Sequence, residues 1–120
     1  MKDLFSLQGK VAIITGGNGG IGKAIARGMA AMGANIVIAA RNEAKTAEAV
    51  RSIKKESGTQ VIGVKVDIRH EEQVRAMAAK ALEVFGRIDI LVNNAGTNIR
   101  KLPQEYTIDE WEEVINTNLR

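Results

Sequence analysis

Four apolar runs are spaced along the chain, and segments with helical periodicity separate them. The runs are VAIIT (11–15), NIVIAA (35–40), QVIGVKV (60–66) and IDILVN (88–93). The first, second and fourth are nearly continuous rather than alternating, which is typical of strands covered on both faces of a parallel sheet. The pattern therefore predicts four buried parallel strands.

The intervening segments have apolar residues three and four positions apart, which predicts helices. The first helix has Ile21, Ile25, Met29 and Met32. The second, weaker stripe has Ala47, Val50 and Ile53. The third and clearest stripe has Val74, Met77, Ala78, Ala81, Leu82 and Phe85. Gly33 and Gly58 stand where the first two helices should end. A fourth helix is predicted near Thr107, where TIDE (107–110) has the spacing of a capping box.

Strands and helices alternate along the chain, and right-handed crossovers between parallel strands make this a doubly wound, Rossmann-like α/β fold. Strand order 3-2-1-4 would place the topological switch point between strands one and four. Ligands bind beyond the carboxyl ends of the strands at such a point. Residues 1–120 are thus predicted to form one dinucleotide-binding domain.

The glycine-rich stretch TGGNGGIG (15–22) lies where strand one should give way to helix one. In that position backbone N–H groups and the helix dipole favour a phosphate. Two registers fit the stretch: GxGxxG, and TGxxxGxG with Thr15, Gly16, Gly20 and Gly22. A P-loop is excluded because no GK[ST] follows.

The end of strand two reads AARN (39–42), with no acidic residue from 35 to 42. Dinucleotide folds that bind NAD hold the adenosine ribose with an acid at this point, whereas an arginine suits a 2′-phosphate. Arg41 therefore favours NADP(H), with NAD(H) as the second choice. Asn42 is predicted to cap helix two and could also donate to that phosphate.

Charge and composition limit the classes of ligand that the chain is expected to bind. The net charge is +3, with +5 in residues 1–60 and −2 in residues 61–120, so the positive excess lies with the glycine loop and favours an anionic ligand. Basic residues are scattered and aromatics make up 3%, which argues against nucleic acid.

The chain has no cysteine, which excludes disulfides, thiolate zinc sites and cysteine nucleophiles. No metal site is predicted. His70 is the single histidine, and it is predicted to lie on the surface. With no signal peptide and no membrane-length apolar run, a cytoplasmic protein acting on a small molecule is expected.

Two further motifs stand out. NNAG (93–96) follows predicted strand four, and NTNL (116–119) lies in the last predicted helix. With TGGNGGIG, they resemble the short-chain dehydrogenase/reductase family in its TGxxxGxG branch, from Leu7 to Arg120. That resemblance implies a set of cofactor-binding residues: Gly16, Asn18, Gly19, Gly20, Ile21, Gly22, Arg41, Asn42, Asp67, Ile68, Asn94, Ala95 and Gly96.

Within that set the resemblance implies separate roles. Gly22 would allow helix one to approach the sheet, and Asp67 would accept a hydrogen bond from the adenine amino group. Asn93 would brace the central sheet, and Asn118 matches the catalytic asparagine. The place where the family often has a Thr or Ser to cap helix three is occupied by Arg69. A homotetramer is the family's usual assembly.

The family's Tyr-x-x-x-Lys pair is not in these residues. The single tyrosine, Tyr106, is followed four positions on by Glu110 and is not the catalytic tyrosine. The sequence ends before a fifth strand, which would leave strand four as an exposed apolar edge. We therefore expect the chain to be part of a longer enzyme, and residues 1–120 alone to be inactive.

Three functions remain open on this evidence. The first is an NADP(H)-preferring oxidoreductase that interconverts a ketone and a secondary alcohol, possibly on a sugar acid, since residues 97–111 look like those of gluconate-type enzymes. Arg100 and Lys101 could then meet a carboxylate. The second is a 3-oxoacyl-carrier-protein reductase. The third is a dinucleotide-binding module without catalysis.

Overall fold

The computed structural model describes residues 6–94, which form four strands and three helices. The strands are β1 (Val11–Thr15), β2 (Asn35–Ala40), β3 (Val61–Lys65) and β4 (Ile90–Asn93). The helices are α1 (Gly20–Ala31), α2 (Glu43–Ser57) and α3 (Glu71–Phe85). Strands β3 and β4 are shorter than their apolar runs by two residues each. The predicted fourth helix lies outside the described residues.

The four strands form one parallel sheet in the order β3-β2-β1-β4, as predicted. The register pairs Thr15 with Ala39 of β2 and with Asn93 of β4. Because all strands run the same way, their carboxyl ends and the loops that follow them lie along one edge of the sheet. The switch point falls between β1 and β4.

Helices cover both faces of the sheet, which explains the continuous apolar runs. On one face, Ile14 and Ile38 pack with α1 and α2. On the other, Ile13 and Val37 pack with α3. All five residues of β1 are buried, so polar alternation has no place in that strand.

The predicted apolar stripes of the helices are confirmed in part. Ile25 and Met29 of α1 and Val74 and Phe85 of α3 pack against the core as partly buried residues. In α1 the buried residues are Gly22, Ala26 and Ala30, whereas Ile21 is 73% and Met32 38% exposed. In α2 they are Thr46, Ala49 and Ile53, so the predicted inner position of Ala47 is wrong. In α3, Leu82 is 49% exposed. Small residues face inward on α1 because they allow the helix to lie close to β1 and its loop.

The helix ends confirm several local predictions. Asn42 is the N-cap of α2, and its side-chain oxygen accepts from the Lys45 N–H at 3.0 Å. Gly58 ends α2 in the left-handed region, at φ 73°. At the start of α3 the N-cap is His70, which makes no side-chain cap, so this helix lacks the cap that a Thr or Ser would give it. Across residues 6–94 no helix has the length and apolar character needed to cross a membrane.

Candidate functional site

The sequence-predicted site residues within the described range lie along the carboxyl edge of the sheet. Residues 16–19 connect β1 to α1, and Arg41 and Asn42 follow β2. Asp67 and Ile68 follow β3, and Asn94 follows β4. Parallel topology therefore brings together residues that are up to about eighty positions apart in sequence.

The backbone distinguishes the two glycine registers. Gly16 and Gly20 have φ of 68° and 57°, a region that L-residues other than glycine rarely adopt. A Cβ on Gly22 would overlap the Gly16 carbonyl oxygen and lie 2.7 Å from Asn94 Nδ2. Gly16, Gly20 and Gly22 are the glycines of TGxxxGxG, so that register is the one that the chain conformation requires.

Thr15 ties the glycine loop to the end of β4. Its hydroxyl lies 3.1 Å from Asn93 Oδ1 and 3.3 Å from the Val92 carbonyl oxygen, either of which can take its proton. The same oxygen accepts from the Asn94 N–H at 2.9 Å. Asn93 thus links β4 to β1, as expected. The Thr15 hydroxyl holds the ends of these two strands together at the switch point.

The start of α1 is open to an anion. Its N-cap is Gly19, which offers no side-chain cap, and its first turn has no acidic residue. The first intrahelical bond runs from the Lys23 N–H to the Gly19 carbonyl, so the N–H groups of residues 20–22 have no partner in the helix. By contrast, α2 and α3 begin with Glu43 and with Glu71 and Glu72. Among the described helices, α1 alone has a start suited to a phosphate.

Two cations from the start of α2 lie at this end of the sheet. Arg41 is exposed and, within residues 6–94, forms no ion pair. The Lys45 ammonium lies against the glycine loop, since a Cβ on Gly19 would be 2.7 Å from Lys45 Nζ. Asn42 Oδ1 accepts the Lys45 N–H, so the Nδ2 hydrogens of Asn42 can donate to another partner.

Asn18, in the middle of the loop, is held by α2. Its Nδ2 donates to Thr46 Oγ1 at 3.2 Å, in a partly buried hydrogen bond. Thr46 is 5% exposed. The glycine loop is therefore attached to β4 through Thr15 and to α2 through Asn18.

Asp67 is strongly paired with Arg69. Its carboxylate accepts the Arg69 N–H at 3.0 Å and the Arg69 Nη2 at 2.7 Å. These hydrogen bonds from the guanidinium and the amide hold the pKa of Asp67 well below its usual range. A carboxylate has about four lone-pair sites, and Arg69 uses both oxygens, since its Nε also lies 3.0 Å from Oδ1 and 3.2 Å from Oδ2. His70 lies on the surface, as predicted, with its Nε2 3.7 Å from that oxygen.

Comparison with known proteins places this geometry in a family. The model of the family described as short chain dehydrogenase matches residues 10–120. The chain belongs to the short-chain dehydrogenase family. It is 37% identical over 114 residues to glucose 1-dehydrogenase 2 of Bacillus subtilis, covering 94% of this chain and 44% of that protein. It thus spans less than half the length of this relative.

Solved structures of the family superpose on the chain. L-sorbose reductase from Gluconobacter frateurii, in complex with NADPH and L-sorbose, matches with a TM-score of 0.77 at 40% identity, over 96% of this chain and 46% of that one. The 2-keto-3-deoxy-D-gluconate dehydrogenase of Streptococcus agalactiae matches with a TM-score of 0.71 at 37% identity, over 96% and 43%. These similarities agree with the Rossmann-like sheet and the site edge described above.

Sequence reasoning predicted candidate site residues that follow the strands, but it missed some side chains that contact them. Lys45 and Thr46 were not predicted to contact the loop, and Arg69 was not predicted to bind Asp67. Thr46 is three residues before Ala49 and seven before Ile53, on one helical stripe. A threonine on the buried stripe of a helix is the sequence signal from which this polar contact could have been predicted. The remaining predicted site residues, Ala95, Gly96 and Asn118, lie outside the described residues.

Proposed function

We propose that the protein is an NADP(H)-preferring oxidoreductase that interconverts a ketone and a secondary alcohol on a sugar acid or related polyol. Residues 1–120 would be its NAD(P)-binding domain and would supply Asn118 as the catalytic asparagine. When bound, NADP(H) supplies or accepts a hydride at the carbon of the carbonyl or alcohol.

The open start of α1 is the observation that carries the cofactor assignment. Three N–H groups without helical partners, a helix dipole and a backbone bare of side chains suit a pyrophosphate. Gly16, Gly19 and Gly20 would let it approach the main chain. Ile21, which is 73% exposed beside this loop, would cover the cofactor with its apolar side chain and lose water in doing so.

The preference for a 2′-phosphate is supported by charge. No acidic side chain lies within residues 35–42, where a ribose hydroxyl would be held, and Arg41 is the first residue after the strand. A guanidinium without a partner among residues 6–94 is available for bidentate bonding to a phosphate. Asn42 would add an amide donor, and the Lys45 ammonium would raise the local positive potential.

The other cofactor contacts follow the family pattern. The Asp67 carboxylate would accept the adenine amino group in exchange for one of its hydrogen bonds to Arg69, with Ile68 against the ring. Asn94, Ala95 and Gly96 would line the nicotinamide side.

The substrate class is inferred from relatives alone. An L-sorbose reductase, a 2-keto-3-deoxy-D-gluconate dehydrogenase and a glucose 1-dehydrogenase, by their names, act on carbohydrates or their acids. A polyhydroxylated substrate is therefore proposed over an acyl thioester. A homotetramer stays a prediction from the family resemblance, and a cytoplasmic location stays a prediction from the sequence pattern.

The test is the affinity of the natural full-length polypeptide for NADPH and NADH, measured by calorimetry. Arg41→Ala should raise the Kd for NADPH about 10- to 100-fold, the effect of losing hydrogen bonds to a charged group, and leave the Kd for NADH within about twofold. Arg51→Ala, an exposed arginine two turns further along α2, is the matched control and should change neither. An Arg41→Ala variant that binds NADPH like the wild type would refute the NADP preference.

The substrate class needs a separate assay. NADPH oxidation should be measured with keto-gluconates, with ketoses and with a β-ketoacyl thioester. Turnover of the thioester alone would replace the sugar-acid proposal by the acyl reductase, and binding of NADPH without turnover of any of them would favour the non-catalytic module.

A further inference from the structure

We propose that Thr46 is a positioning residue for the cofactor site: it holds Asn18, and through it the glycine loop, in the conformation that binds the phosphates. The proposal rests on the proposed function, because it assumes that the loop binds NADP(H). It adds a residue of α2 that lies outside the glycine motif and that no motif of the sequence indicated.

The geometry that carries this proposal is a single long-range hydrogen bond. Asn18 Nδ2 and Thr46 Oγ1 are 3.2 Å apart and 28 residues apart in sequence. Thr46 is buried among the apolar residues of the α2 inner face, where a hydroxyl would cost stability without a partner. Asn18 supplies a donor to the hydroxyl oxygen, so the loop provides a partner for this buried polar atom.

The direction of the hydroxyl is fixed by β3. A Cβ on Gly63 would lie 2.6 Å from Thr46 Cγ2, so the threonine methyl occupies the space that Gly63 leaves. A β-branched side chain has few χ1 choices in a helix. With its methyl held over Gly63, Thr46 cannot turn its Oγ1 away from the loop without losing that contact.

The loop needs such a restraint because of its composition. Glycines at 16, 17, 19 and 20 lose more conformational freedom on ordering than any other residue. Thr15 fixes the start of this segment and α1 fixes its end, but Asn18 is the one residue between them with a side chain. Holding Asn18 before the cofactor arrives lowers the ordering cost of binding.

The experiment is a double-mutant cycle in the natural full-length polypeptide, with NADPH as the probe and its Kd measured by fluorescence. Thr46→Ser and Thr46→Ala differ from each other by the hydroxyl alone. Thr46→Ala should raise the Kd about three- to tenfold relative to Thr46→Ser, the effect of one hydrogen bond. In an Asn18→Ala background, exchanging serine for alanine at position 46 should have no further effect, because the partner is gone.

Thr59→Val is the matched control. Thr59 is partly buried, whereas Thr46 is buried, and it too is bonded through its hydroxyl, to Ser57, but just beyond the far end of α2. Its substitution should leave the Kd unchanged while shifting the thermal midpoint, which separates loss of stability from loss of positioning.

Three results would overturn the proposal. Equal NADPH affinity of Thr46→Ser and Thr46→Ala would show that the hydroxyl does not act on the site. If the ratio of the NADPH Kd values of Thr46→Ala and Thr46→Ser is the same with and without the Asn18 side chain, the hydroxyl acts on the site without Asn18. Failure of the wild type to bind NADPH or NADH would overturn the proposed function and this inference together, and is distinguished by the wild-type titration itself.

Discussion

Gly22 is the position where one added methyl group should do the most damage to the site. A Cβ there would overlap the carbonyl oxygen of Gly16, and would lie 2.8 Å from the Gly16 carbonyl carbon and 2.7 Å from Asn94 Nδ2. Ordinary carbon contacts are about 3.5–4.0 Å, so the overlap approaches 1 Å on backbone atoms that cannot rotate aside.

The magnitude follows from two opposing effects of Gly22→Ala. Alanine in a helix is favoured over glycine by about 0.8–1 kcal/mol. Forcing a methyl group into a close-packed site costs typically 1–3 kcal/mol and occasionally more, and the backbone neighbours place this case at the upper end. The net loss in free energy of unfolding should be about 2 kcal/mol or more. Affinity for NADPH should also fall, because the displaced atoms belong to the glycine loop.

Gly28→Ala is the matched comparison, because it makes the same change in the same helix. A Cβ on Gly28 would have nothing within 4 Å, so this variant should gain up to about 1 kcal/mol. Urea unfolding followed by circular dichroism measures both. If Gly22→Ala is as stable as Gly28→Ala, the reasoning from the close approach of α1 to the loop is refuted.

Three further predictions concern polar side chains. Thr15→Val removes the acceptor of the Asn94 N–H and should cost about 1–3 kcal/mol by urea unfolding; no change would mean that water replaces the hydroxyl. Burial alone would raise the pKa of Asp89, but hydrogen bonds from a neighbouring arginine and from the first amide of β1, with nearby positive charge, lower it below its ordinary 3.8. Its stabilisation is therefore present above that value and lost as the pH falls through the lowered pKa. Asp89→Asn should cost about 1–2 kcal/mol at neutral pH and reduce the acid dependence of the thermal midpoint, whereas parallel pH profiles would contradict this. Arg69→Leu should return the pKa of Asp67 towards its ordinary value, measured by NMR titration of the carboxyl carbon; an unchanged pKa would show that the ion pair is absent in solution.

Local pattern was enough to predict most of the architecture. Continuous apolar runs predicted buried parallel strands, and the alternation with helices predicted the doubly wound fold. The sheet has the order 3-2-1-4, one of the common orders of that fold. Asn42 and Gly58 marked the ends of α2 correctly, because caps depend on residues within one turn. The site edge followed from the same topology.

The inner faces of the helices and the contacts of the site depended on tertiary structure. Periodicity favours the largest apolar residues, but the fully buried residues of α1 are Gly22, Ala26 and Ala30, because the helix lies close to β1 and its loop, while Ile25 packs against the core only partly buried. The choice between two glycine registers likewise depended on the Gly16 carbonyl and on Asn94.

What the sequence by itself determined was therefore the order of elements, the sheet and the edge along which the candidate site lies, since these follow from short-range periodicity and chain direction. What only the tertiary structure decided was which side chains meet at that edge. The pairing of Asn18 with Thr46 joins residues that are 28 positions apart, and that of Thr15 with Asn94 spans 79. Such contacts depend on the packing of whole elements, which no local pattern encodes.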